Sequence, residues 1–197
     1  STLRDVTLVA RLSDRTVIRG ETKIDVLNSG QTRLPITKIW LSPHKAKTTT
    51  AVIEAINAAD FIVVPPGDLY TSIIASLLPQ GIKQTICASK ARVVMCTNTM
   101  MKNGETDGYG VLRHVLVVER YLGRRVDVVI CNTGLPTRDV LERYAAEGKH
   151  PVEVDIPDGH WEGREVVKAD LLARGELARH SSECLGYTLR GLFGVLE

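Results

Sequence analysis

The rhythm of apolar and polar positions changes near residue 50. Before it, Val6, Leu8, Ala10 and Leu12 alternate with polar neighbours, Ser13-Asp14-Arg15 supplies a turn, and Thr16-Val17-Ile18 returns. That alternation predicts a β-hairpin. Residues 22–37 are polar and irregular, which predicts an exposed loop or edge, and residues 36–41 predict a short strand stopped by Ser42-Pro43. After residue 50 the spacing becomes helical. Thr50 is a candidate cap for a helix carrying Val52, Ile53, Ile56 and Ala59 on one face. Residues 61–64 are apolar throughout, as in a strand buried on both faces of a parallel sheet.

The same alternation of elements continues to the end. A helical region is predicted over 69–88, broken near Pro79 and Gly81, then a buried strand over 92–96 and a helix over 111–122. A third strand is expected over 126–131, a third helix over 137–147 ending at Gly148, and short strands over 152–154 and 166–167. A last amphipathic helix carries Leu185, Leu189, Leu192 and Phe193. Strand and helix in turn predict an α/β parallel sheet with right-handed crossovers. The expected fold is one α/β domain over 1–197, Rossmann-like and three-layered, with a mainly parallel sheet and an N-terminal β-hairpin.

Composition narrows the function classes. At 197 residues, 44% hydrophobic and 24% charged, the chain has enough apolar surface for a packed core and is neither a disordered nor a collagen-like sequence. The formal net charge of +2 gives no electrostatic reason to expect nucleic acid. No apolar run is long enough to cross a bilayer, and no basic stretch followed by an apolar one marks a signal peptide. Four scattered cysteines form no CxxC pair, which argues against a zinc ribbon and suits a reducing cytoplasm. The five histidines show no metal-ligand spacing, so no metal site is expected from them. The chain opens on Ser1-Thr2-Leu3 without an initiator methionine, as a processed chain or a piece of a longer one would.

In an open parallel sheet ligands gather outside the carboxyl ends of the strands. Three loops there are candidates. Pro65-Pro66-Gly67-Asp68 leads into a helix; Gly67 allows close backbone approach, Thr71 and Ser72 offer hydroxyls, and the free amides suit an anion. Asp68 has a second reading as a helix cap that satisfies those amides and repels phosphate. Residues 98–110 form a long connection in which Asn98 stands at a strand end, and Glu105 and Asp107 could hold magnesium through waters. Its Asn-Gly and Asp-Gly pairs are equally plain turn formers. In the third loop Asn132 and Thr137 read as structural. No Walker loop, nucleophile elbow or complete Gly-x-Gly-x-x-Gly occurs.

Three segments carry a resemblance. ADFIVVPPGDLYTSIIASLLPQGI (59–82), VVMCTNTMMKNGETDGYGVLRHV (93–115) and the hairpin DVTLVARLSDRTVIRGET (5–22) resemble the family of 2-phospho-L-lactate transferase and the YvcK-like gluconeogenesis factor. The family's N-terminal Gly-rich loop has no counterpart, so the chain is similar to the larger C-terminal portion of a member. The resemblance implies two alternatives. One branch binds UDP-sugars and supports gluconeogenic growth, cell-wall synthesis and cell shape. The other moves a phospholactyl group from a guanosine diphosphate carrier to a deazaflavin, with magnesium. GETDGY (104–109) and the tail are closer to the first branch, in which no catalytic residue is assigned.

That branch's binding tyrosine and arginine correspond to Tyr144, in ERYAAE, and Arg179, in LARHS. A tyrosine face stacks on uracil and a guanidinium grips diphosphate through paired bonds; an amphipathic helix residue and a surface cation are the plainer readings. The implied ligand site is Gly67, Thr71, Ser72, Asn98, Tyr144 and Arg179. Pro65, Asp68, Arg113 and Ser181 depart from the family pattern, the last two by losing acidic groups, which weakens the case for magnesium. A homo-oligomer paired through the hairpin or through residues 36–41 is a third reading, of a different class.

Overall fold

A computed structural model describes residues 2–27 and 31–194. Residues 28–30, inside the segment expected to be irregular, lie outside the described residues. The N-terminal part forms β1 (Thr7–Leu12), β2 (Val17–Arg19), α1 (Glu21–Asp25) and β3 (Ile36–Ser42). Then come α2 (Thr50–Ala58), β4 (Phe61–Val64), a π-helical stretch (Leu69–Ile74) running into α3 (Ala75–Leu77), α4 (Ile82–Ala88) and β5 (Arg92–Cys96). The remainder is α5 (Val111–Leu122), β6 (Val128–Asn132), α6 (Arg138–Ala146), β7 (Gly159–Trp161), β8 (Arg164–Ala169) and α7 (Ser182–Phe193).

The main sheet has the order β4-β5-β6-β8-β7, parallel except for β7, which pairs antiparallel with β8. Side chains alternate across it as the pleat requires. Val93, Met95, Val129, Cys131 and Val166 face a core shared with the π-helical stretch, α5 and the small sheet. Val94, Cys96, Val128 and Ile130 face the opposite side, where α7 covers them with Leu185, Leu189, Leu192 and Phe193. Phe61 and Phe193 pack with ring centroids 4.3 Å apart. The result is the expected α/β three-layer fold. The expected hairpin gains a third strand, giving a separate antiparallel sheet of order β2-β1-β3.

Five expectations about elements need correction. Thr50 is the first residue of α2 rather than its cap; Thr49 stands at the cap position, and its side chain makes no capping bond. Residues 22–37 are not simply loop: Glu21–Asp25 is a helical turn because Ile24, the apolar residue within it, is fully buried in the core. Residues 61–64 are not buried on both faces, because β4 is an edge strand and Val63 is 37% exposed. The third strand starts at Val128, two residues late. The Val126 amide is taken by the Glu119 carboxylate at 2.9 Å, and Asp127 turns its carboxylate back to the Val93 amide at 2.7 Å. Residues 152–154 form no strand. Val152 donates to the Thr99 carbonyl and Glu153 accepts from Val111, so this segment stitches the long loop to the start of α5.

The last hairpin is fixed from inside. Arg164 is 1% exposed, donates to Glu119 through Nε at 2.8 Å and Nη2 at 2.7 Å, and lies 4.2 Å over the Trp161 ring. A fork-to-fork pair of this kind orients both partners, and it ties β8 to α5 across the core.

Candidate functional site

The chain after β4 turns through Pro65-Pro66-Gly67-Asp68 and enters the π-helical stretch, in which Ile73 donates to the Asp68 carbonyl five residues back, at 3.0 Å. Wide turns of this type recur at functional sites. Asp68 stands at the helix start but makes no side-chain cap; its carboxylate goes to Lys102 at 2.7 Å. The cap comes from another loop: Glu105 accepts from the Tyr70 amide at 3.2 Å and from the Thr71 hydroxyl at 3.3 Å. A protein carboxylate therefore holds an amide that the sequence offers to an anion.

The long loop after β5 is ordered by its own side chains. Thr106, fully buried, accepts from the Lys102 amide at 2.8 Å, and Asp107 accepts from the Gly104 amide at 2.7 Å. Lys102 is then the hub: its ammonium contacts Asp25, Asp68 and Glu105. Those carboxylates, with burial acting against them, hold Lys102 above its ordinary range. Burial pushes the Glu105 carboxyl up, with Lys102 pulling the other way. Glu105 and Asp107, the pair considered for magnesium, have different partners, and no group of three metal-ligating side chains converges among the described residues.

An open cleft of about 540 Å³ lies across the carboxyl ends of β4 and β5. It is walled by Gly67 and Asp68 from the first loop, Asn98 and Lys102 from the second, Lys149 after α6, and Arg179 and His180 before α7. Lys102 is neutralised as described and Lys149 pairs with Glu147 at 2.6 Å. The Arg179 guanidinium has no partner among the described residues. Neither has Nε2 of His180, whose imidazole burial holds below its ordinary range. The cleft thus presents a cation that is without a partner among the described residues, while the unpaired His180 nitrogen is buried rather than open to the cleft.

The six residues named from sequence divide into three groups. Gly67, Asn98 and Arg179 line the cleft together. Tyr144 stands directly behind it: its hydroxyl accepts from the Ala178 amide at 3.3 Å, and Lys149 lies 5.7 Å from its ring centroid. Thr71 points inward, bonded to Asp25 and Glu105, and Ser72 is exposed on the helix; neither is on the cleft wall. Asn132 is structural as expected, with its amide spent on Gly134 and Leu171. Sequence reasoning missed Lys102, Lys149 and His180. Lys102 sat in a loop already singled out and His180 beside Arg179, whereas nothing local marks Lys149.

Fold and cleft define a Rossmann-like α/β protein with an open polar cleft built from loops at the carboxyl edge of its parallel sheet. The chain belongs to the family described as 2-phospho-L-lactate transferase CofD, whose model matches residues 1–172. A Thermotoga maritima protein named "Putative gluconeogenesis factor" is 44% identical over 148 residues, 75% of this chain and 45% of that protein. A Gluconeogenesis factor of Halalkalibacterium halodurans is 37% identical over 153 residues, 77% of this chain and 46% of that protein. A crystal structure of a member of the UPF0052 family from Bacillus halodurans superposes with a TM-score of 0.84 at 30% identity, over 95% of this chain and 59% of that one. The chain spans about half the length of the curated relatives it matches. No helix among the described residues is long and apolar enough to cross a membrane.

Proposed function

We propose that the cleft binds a nucleotide-sugar of the UDP-sugar class, and that the chain is the binding part of a cytoplasmic regulatory protein of the gluconeogenesis-factor type. In this reading the protein acts on carbon metabolism and on the cell wall and cell shape without catalysing a reaction. The observation that carries it is the Arg179 guanidinium on the cleft wall, without a partner among the described residues and linked through the Ala178–Tyr144 hydrogen bond to an aromatic ring just behind it. A guanidinium fork matches diphosphate oxygens, and the Tyr144 hydroxyl holds the 178–180 segment that carries it. Relatives named gluconeogenesis factor support the same reading.

The family model's description favours a second reading, transfer of a phospholactyl group from a guanosine diphosphate carrier. Magnesium would be needed there, and Glu105 is engaged with Lys102, Tyr70 and Thr71. Calorimetric titration of the complete natural polypeptide with UDP-N-acetylglucosamine and with GDP tests both. UDP-sugar binding without GDP binding is expected. GDP preference together with magnesium-dependent product on a deazaflavin acceptor would replace the regulatory reading with the transferase.

A further inference from the structure

A second pocket, sharing no residue with the cleft, has a charge pattern that the fold does not account for. It measures about 490 Å³ and is lined by Arg11 and Lys38 from the small sheet, Lys83 from α4, and Arg120 and Tyr121 from α5. Four cations line it, and no carboxylate is on the wall among the described residues. None of the four has an ion-pair partner among the described residues.

The arrangement costs stability. Arg11 and Lys38 are directly opposite in the antiparallel β1–β3 ladder, where like charges repel. The Lys83 ammonium is held 3.3 Å from the Arg120 carbonyl, which fixes it at the pocket and leaves further donors free. Behind them the Tyr121 oxygen accepts from the Ile39 amide at 3.0 Å, so its own proton remains for a ligand. A surface built only for solubility would intersperse both signs of charge; this one concentrates a single sign in a concavity of small-molecule size.

We infer that this pocket binds a small polyanion carrying two phosphate groups, at a site separate from the cleft. Two phosphates would relieve the Arg11–Lys38 repulsion and bring charge-assisted bonds to Lys83 and Arg120 from the same ligand. Inorganic pyrophosphate and a bisphosphorylated sugar share this chemistry.

The test is calorimetry at physiological salt on the complete polypeptide, with pyrophosphate, inorganic phosphate, sulfate and glucose 1,6-bisphosphate as probes. Pyrophosphate or the sugar bisphosphate is expected to bind, and whichever is tighter identifies the source. The Lys38→Ala/Arg120→Ala variant should weaken binding about ten-fold or more, since each lost charge-assisted bond is a large term, while Arg179→Ala should change it less than about two-fold. Both variants are at exposed positions, so folding, checked by circular dichroism, is expected to be retained. Absence of binding, equal response to sulfate, or loss only in Arg179→Ala would overturn the proposal. So would tighter binding of a single-stranded oligonucleotide with affinity rising with length, which would make the patch a nucleic-acid surface. The outcome is independent of UDP-sugar binding, which rests on Arg179 and Tyr144.

Discussion

Asn98 clasps the backbone of Gly67 from both sides: its Oδ1 accepts from the Gly67 amide at 2.9 Å and its Nδ2 donates to the Gly67 carbonyl at 2.8 Å. The carboxamide at the end of β5 thereby sets the position of the loop after β4. Asn98 shapes the cleft by holding its neighbouring wall. Two neutral bonds of this kind contribute about 1–3 kcal/mol together. Asn98→Ala should lower stability by that amount in urea titrations and weaken UDP-sugar binding with it, because the Gly67 wall is released. Unchanged stability would show that Pro65 and Pro66 hold the loop unaided.

Arg179 and Tyr144 should separate in binding measurements. Arg179→Ala removes the free guanidinium and is expected to weaken UDP-N-acetylglucosamine binding about ten-fold or more, as for a lost charge-assisted bond. Tyr144→Phe keeps the ring and loses the bond to Ala178, so affinity should fall only about three-fold or less, within one modest hydrogen bond. A larger loss in Tyr144→Phe than in Arg179→Ala would mean that the hydroxyl, and the 178–180 loop it positions, matters more than the cation.

Arg164 and Glu119 form a nearly buried pair, and removing one partner leaves the other charge without compensation. Arg164→Met is expected to cost about 3–5 kcal/mol, and Arg164→Met/Glu119→Gln to recover part of that loss, because Gln removes the uncompensated charge and keeps an acceptor for the Val126 amide. Chemical denaturation of the two single variants and the double variant completes the cycle. Additive losses would show that the pair is not coupled.

Stability should fall on mild acidification. Burial holds the imidazoles of His114 and His180 below their ordinary range, so the unfolded chain binds protons that the folded chain does not. Stability then rises with pH and is lost as pH drops below the unfolded value of about 6.5. His114 is 1% exposed, with Nδ1 2.9 Å from the Gly110 carbonyl and Nε2 unpartnered among the described residues. His114→Gln should flatten the pH dependence of the urea midpoint. A slope equal to that of the wild type would assign the effect to His180 or elsewhere.

Glu105 should act in the opposite direction. Its carboxyl is raised by burial, so the folded state takes up a proton more readily than the unfolded one. Its ionisation costs stability as pH rises above the ordinary carboxylate value. Glu105→Gln retains an acceptor for Tyr70 and Thr71 and leaves Lys102 with Asp25 and Asp68. Relative to the wild type, this variant should gain stability between acid and neutral pH. A loss at neutral pH would show that the Lys102 attraction outweighs the burial cost.

The periodicity of the chain determined the α/β class, the strands at 61–64 and 92–96, and the limits of α5, because those patterns are local; that Val63 is left exposed on an edge strand was decided by the sheet order. The loops at the carboxyl ends of the predicted strands marked Gly67 and Asn98, and the family resemblance marked Arg179. Other features rested on partners distant in sequence. Residues 152–154 are apolar enough for a strand, yet their hydrogen bonds go to Thr99 and Val111, which only folding brings near. Asp68 reads as a cap until Lys102, 34 residues away, takes its carboxylate and Glu105 takes the helix amide. Arg11 and Lys38 are unremarkable surface cations until the β1–β3 register sets them opposite each other. Sequence determines which segments must be buried and in what form. The pairing of polar groups is decided by the tertiary structure, because a hydrogen bond or an ion pair depends on distances that chain separation does not encode.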